Sequence, residues 1–138
     1  MEFYQMPLFN KILVRDSEKA ENWYRHTLGF QSVFKFRNES NEVIMNHLRL
    51  KKYQDIMLIQ SDDFTSGNGC FINLLVDDIE TIAKSISEKY VLQPLEQIPR
   101  NAIEMTIIDP DGYQITLTES NISDEDFEKL MGSVSKKY

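Results

Sequence analysis

The chain is poor in the residues that do chemistry on their own. Its 138 residues include one cysteine, Cys70, and two histidines, His26 and His47. A single cysteine excludes a disulfide framework and a thiolate zinc site. A divalent-metal centre needs three or four His, Asp, Glu or Cys side chains converging on one point. The spacing of the two histidines and the acids assembles no such cluster. Runs of Lys or Arg never exceed two residues and the formal charge is −7, so the basic footprint of a nucleic-acid or anionic-membrane surface is absent. No apolar run nears the roughly 18 residues of a membrane span, and the opening MEFYQMPLF carries an acid where a signal peptide carries bases. Neither a Gly-rich phosphate loop nor a GxSxG elbow occurs. These absences lead us to expect a soluble, cytoplasmic protein with no metal and no cofactor, and with neither nucleic acid nor membrane as a partner.

What is present is a repeat. FINLLVDDIETIAKSISEKY, Phe71 to Tyr90, lies over FNKILVRDSEKAENWYRHTL, Phe9 to Leu28, without a gap. Phe71 falls on Phe9, Leu75 on Leu13, Val76 on Val14 and Asp78 on Asp16. Each copy reads as a short strand, an acidic corner and an amphipathic helix, followed by strand-like sequence. With 41% apolar residues the chain can bury one core as a single domain. A duplicated module of this length is seldom stable alone.

In order, Leu8 to Val14 reads as a strand with Ile12 and Val14 on one face and Lys11 and Leu13 on the other. Asp16-Ser17 supplies N-cap chemistry for a helix to about Thr27, with Ala20, Trp23, Tyr24 and Thr27 as its buried stripe and Gly29 as its C-cap. Strands are expected at Phe30–Arg37, Glu42–Leu50 and Asp55–Gln60. SDDFTSGNG, residues 61–69, is the linker between module 8–60 and module 70–119. The second half repeats the order. Cys70–Val76 is a strand, with Cys70 read as an inert strand cysteine. Asp77 is the expected N-cap, with Glu80 completing a capping box, and Ile79, Ile82, Ala83 and Ile86 form the stripe. Val91–Ile98, broken by Pro94, belongs at a sheet edge. Ala102–Ile108 and Tyr113–Thr118 are strands joined by the turn Asp109-Pro110-Asp111-Gly112, whose two carboxylates are read as bonding within the turn. A short helix is expected at about 123–131, with Phe127, Leu130 and Met131 on its apolar side. The fold class is α+β, βαβββ twice.

Strand alternation then separates a second face. If Ile12, Val14, Ile72, Leu74 and Val76 face the helices, the other side carries Phe9, Lys11, His47, Arg49, Phe71, Asn73, Glu104, Gln114 and Thr116. Rings with a few polar groups are what a small-molecule site requires; an open sheet with these residues in solvent is the alternative. His26, near a helix end, reads as an exposed imidazole favoured by the dipole.

Three stretches carry a family resemblance: LVRDSEKAENWYRHTLGF at Leu13–Phe30, LLVDDIETIAKSI at Leu74–Ile86 and MTIIDPDGYQITLTE at Met105–Glu119. With them the chain resembles the vicinal oxygen chelate superfamily of glyoxalase I, extradiol dioxygenases, and fosfomycin- and bleomycin-resistance proteins. The resemblance implies tandem βαβββ modules forming curled mixed sheets around a cleft, in many relatives completed by a second subunit, so a homodimer is expected. In the metal-dependent members the ligands fall at positions matching Phe9, Phe71 and Thr116 here, none of which can bind a metal. The chain is therefore most similar to the metal-free bleomycin-resistance branch, whose members sequester a cationic, planar-ringed antibiotic. The expected function is metal-independent binding of a cationic or aromatic small molecule rather than catalysis. Trp23, on the helix stripe, is assigned to the core. Two alternatives stay open: a metal-independent isomerase or lyase using His47 and Glu104 as its acid–base pair, and a structural or regulatory dimer with no ligand.

Overall fold

The computed structural model describes residues 4–99 and 102–120, together with Glu125, Glu128, Lys129 and Gly132. The elements are β1 (Asn10–Val14), α1 (Ser17–Leu28), β2 (Gln31–Arg37), β3 (Val43–Lys51), β4 (Gln54–Gln60), β5 (Phe71–Leu75), α2 (Ile79–Ser85), β6 (Val91–Ile98), β7 (Ala102–Ile108) and β8 (Gln114–Ser120), with a 3₁₀ turn at Glu88–Tyr90. The first sheet runs β1-β4-β3-β2 and the second β5-β8-β7-β6, the same order position for position. This is the tandem βαβββ arrangement expected. The curling expected of the sheets does not close them into a barrel, and each is a four-stranded sheet of its own. Strand β6, with Pro94, lies at an edge, where its missing N–H costs no ladder bond. At the C-terminal end the four described residues are helical, while Phe127, Leu130 and Met131 lie outside the described residues.

Both helices start on the carboxylates that the repeat superimposes. Asp16 is extended (φ −137°, ψ 107°) and accepts from the Lys19 N–H; Asp78 accepts from the Thr81 N–H at 3.2 Å. The cap is thus Asp78 rather than Asp77, because its carboxylate lies three residues before a free amide and also takes the Thr81 hydroxyl at 2.7 Å. Helix α1 ends on Gly29, left-handed at φ 86°, which donates to the Arg25 carbonyl at 3.0 Å. Its buried side is Ser17, Ala20, Glu21, Tyr24 and Leu28. Trp23 and Thr27 are only half-buried, a quarter-turn off that stripe, so Trp23 is not the core residue expected. Cys70 is likewise not a buried strand cysteine: it precedes β5 and is exposed.

The chain folds as two compact units, and their boundary is not the linker. Among the described residues, the first holds those up to Phe71 together with Ile108–Gln114; the second holds those of Ile72–Ile107 and those from Ile115 onward. The first unit therefore takes the Asp109–Tyr113 turn from the second repeat. Buried Tyr24 of α1 donates its hydroxyl to Asp109 Oδ2 at 2.5 Å. Asp109 Oδ1 accepts the amides of Asp111 (3.0 Å) and Tyr113 (2.8 Å), as a turn carboxylate is expected to. The Tyr113 hydroxyl donates to the Leu13 carbonyl (2.8 Å) and accepts from the Leu13 N–H (2.9 Å), capping an edge of β1. Arg15 reaches Asp111 at 3.3 Å.

Candidate functional site

On the first sheet the two faces are told apart by Asn46, which is buried and donates to Glu21 of α1 at 3.0 Å. Asn46 therefore faces the helix, with Ile12, Val14, Leu48, Ile56 and Leu58 as the apolar core beneath it. The alternate residues point the other way. Cross-strand register orders them into rungs. One rung runs Phe34–His47–Met57–Lys11 across the whole sheet, and the next runs Phe36–Met45–Ile59–Leu13. On the other side of His47 comes Gln31–Arg49–Asp55. The face thus grades from ionic, through mixed, to wholly apolar within three rungs. Phe34 and Phe36 are 55% and 43% exposed and stand edge to face, with ring centres 4.6 Å apart.

The ionic rung is built around Asp55, which is buried. Its Oδ2 lies 2.5 Å from His47 Nε2, 2.9 Å from an Arg49 terminal nitrogen and 3.0 Å from Arg49 Nε. The Tyr4 hydroxyl donates to its Oδ1, and the Arg49 guanidinium stacks on the Tyr4 ring, 4.1 Å from its centre. Burial pushes the Asp55 carboxyl up, but the hydrogen bonds from Arg49, Tyr4 and His47 outweigh it and hold the group below its ordinary value. The hydroxyl of Tyr4 is raised, by burial and then by the Asp55 hydrogen bond.

A cleft of about 530 Å³ opens elsewhere, on the helix side of the same sheet, bordered by Asp16, Glu21, Arg25, Lys35, Arg37 and Asn46 among others. Its floor is self-satisfied: Glu21 takes Arg25 and Lys35, each at 3.1 Å, as well as Asn46. Arg37 donates to the Asn41 carbonyl. Val43 is the only large apolar residue in its lining. Small-molecule sites combine apolar walls with a few polar groups, so the ringed face is a better candidate than this polar cleft.

The nine residues expected at a site divide between the two sheets. Lys11, His47 and Arg49 share the face just described; Phe9 immediately precedes β1 and is half-buried. On the second sheet the polar groups pair among themselves or with neighbouring backbone. Asn73 donates to Thr118 at 3.3 Å, Thr116 bonds Thr106 at 2.9 Å and Gln114 reaches the Asn68 carbonyl at 2.9 Å. Phe71 is exposed, and Glu104 stands opposite Glu96 in the β6–β7 register. His26 is exposed, its Nδ1 2.7 Å from the Asn22 carbonyl. Sequence reasoning missed Asp55, Tyr4, Phe34 and Phe36. Asp55 was legible in principle, as a carboxylate on the same strand parity as Met57 and opposite Arg49.

The donor set does not fit a metal. Phe9, Phe71 and Thr116 offer no ligand of useful strength, and among the described residues no three His, Cys, Asp or Glu converge. The nearest approach to a site, His47 with Asp55, already has the Arg49 guanidinium where a cation would sit.

Residues 7–117 match the Glyoxalase/Bleomycin resistance protein/Dioxygenase superfamily. The chain belongs to that superfamily. A member from Sphaerobacter thermophilus is 28% identical, with a TM-score of 0.63 over 81% of this chain and 94% of that one. TioX from Micromonospora sp. is 15% identical (TM-score 0.65, 81% and 96% covered). The fosfomycin resistance protein FosX from Mesorhizobium loti is 14% identical (TM-score 0.62, 91% and 99% covered). The last two likenesses establish the shared glyoxalase-superfamily fold and nothing finer. No curated protein matches the chain. Among the described residues no helix is long and apolar enough to cross a membrane.

Proposed function

We propose that this chain is a metal-independent small-molecule binding protein of the bleomycin-resistance type, working as a homodimer and holding a planar, aromatic or cationic compound without transforming it. The observation that carries the reading is the exposed Phe34–Phe36 pair, set beside Met45, Met57, Ile59 and Leu13. Water-exposed rings on a sheet face lose free energy when a flat molecule covers them, by about 0.5–1.5 kcal/mol per ring contact beyond the area buried. The formal charge of −7 favours the approach of a cationic compound. The reading keeps Lys11, His47 and Arg49 as ligand-side residues and adds Phe34 and Phe36. On the second sheet, Phe71 offers a comparable ring.

Native mass spectrometry of the chelator-treated protein, with a bleomycin-type glycopeptide and with 2-naphthol titrated separately, tests it. A dimer taking up either compound at micromolar concentration is expected, with Phe34→Ala and Phe36→Ala each weakening uptake about tenfold. A monomer, or a protein indifferent to both compounds, would refute the reading. One observation favours a second: a buried carboxylate orienting an imidazole, Asp55 on His47, also suits a general base. A metal-independent isomerase or lyase would then lose turnover on His47→Phe while still binding its substrate.

A further inference from the structure

The hydrogen-bonding direction of His47 follows from what surrounds its partner, Asp55. Asp55 cannot be its donor. The carboxylate receives Arg49 through two nitrogens that can only donate, on both of its oxygens, and takes the Tyr4 hydroxyl on Oδ1, so it is held as the carboxylate. The proton between His47 and Asp55, at 2.5 Å, therefore belongs to His47 Nε2. In a neutral imidazole the other nitrogen is then an acceptor. Nδ1 makes no hydrogen bond to any described residue, yet among the described residues no buried side-chain nitrogen or oxygen lacks a partner. Nδ1 is thus where this otherwise buried ring meets solvent. Its rung offers nothing equivalent: Phe34 and Met57 flank the ring, and Lys11 only donates.

We propose that His47 Nδ1 is a fixed hydrogen-bond acceptor at the edge of the aromatic bed, so that the compound held there is a phenol-type molecule. Its ring covers the apolar rung of Phe36, Met45 and Ile59, and its O–H donates to Nδ1. This rests on the reading that the face binds aromatic compounds, and names the substrate class within it. Asp55 and Tyr4 are positioning residues, since they act through the orientation of His47. The arrangement discriminates by what it leaves unpaired: an O-methylated analogue covers the same rings but gives Nδ1 no donor.

The test compares 2-naphthol with 2-methoxynaphthalene by isothermal titration, on the wild-type chain and on His47→Phe and Phe36→Ala. We expect wild type to prefer the naphthol about tenfold and His47→Phe to bind both alike. Phe36→Ala is expected to weaken both compounds and keep the preference. Equal affinity of both compounds for wild type would overturn the inference and leave the aromatic-binding reading intact. No binding of either would overturn both. Independently of any ligand, the ¹⁵N shifts of His47 should report the Nε2–H tautomer in wild type and a mixture in Asp55→Asn. A wild-type ring protonated on Nδ1 would sink the proposal whatever the titrations give.

Discussion

Asp55 is the residue on which most depends, although only its strand parity with Met57 marked it in the sequence. A buried carboxylate is tolerable only when several donors replace its water. Here Arg49, His47 and Tyr4 do so from positions six, eight and fifty-one residues away. Asp55→Asn leaves the Arg49 guanidinium without its counter-charge and is expected to cost about 3 kcal/mol in denaturant-unfolding free energy. The pH dependence has a definite sign. The folded-state carboxyl of Asp55 titrates below its ordinary value of 3.8, so its contribution is whole above that pH and is lost as pH falls below it. Asp109 runs the other way. Burial raises it, and the Tyr24 and backbone hydrogen bonds offset only part of that, so its contribution is whole below 3.8 and declines as pH rises above that value. Unfolding curves at stepped pH should therefore flatten below 3.8 in Asp55→Asn and change above 3.8 in Asp109→Asn. Of the ringed face, His47, Arg49 and Lys11 could be placed from sequence because alternation assigns a side. Tyr4 was not, since nothing in a lead-in segment says which turn it will lie across.

At the scale of elements the helices and strands were close to what periodicity dictates, with boundaries shifted by a residue or two. The exceptions have local causes. Asp77 and Asp78 are both good caps by composition, and only the geometry of the Thr81 amide and hydroxyl chooses between them. The repeat register, which superimposes Asp78 on Asp16, carried that choice where local pattern did not. Asp16→Ala and Asp78→Ala should each cost about 1 kcal/mol. Thermal melts followed by circular dichroism would also show which seven- or twelve-residue helix frays first. The curl of the sheets could not be read from any strand, because curvature depends on how sheets pack and not on side-chain parity. Gly112 shows the reverse case, a turn readable from sequence alone. It sits at φ 97°, and a Cβ there would meet Ser66 Oγ. Gly112→Ala should cost about 1–2 kcal/mol through the left-handed backbone. Gly69→Ala, with open space around it and no positive φ, should cost much less in the same assay.

For the whole molecule, the repeat was visible but the way its copies share structure was not. Cutting at the linker of residues 61–69 separates the sequence repeats, yet the first compact unit extends past it and includes Ile108–Gln114. A fragment of residues 1–69 lacks the carboxylate that Tyr24 needs and the hydroxyl that caps Leu13. We expect that fragment to show no cooperative unfolding transition, and expect one to appear when residues 70–138 are added in trans. A sharp transition for the fragment alone would mean that the borrowed turn is dispensable.

The same borrowed turn sets a clock on synthesis. Strand β4 leaves the ribosome long before Tyr113 does, and the bond that closes β1 spans 100 residues of sequence. At about 5–20 residues per second, the first sheet and α1 wait roughly 3–10 s for the turn to be made. Throughout that wait the Tyr24 hydroxyl, destined for the interior, has only water to bond, and the first half of the newborn chain stays open to chaperones and proteases.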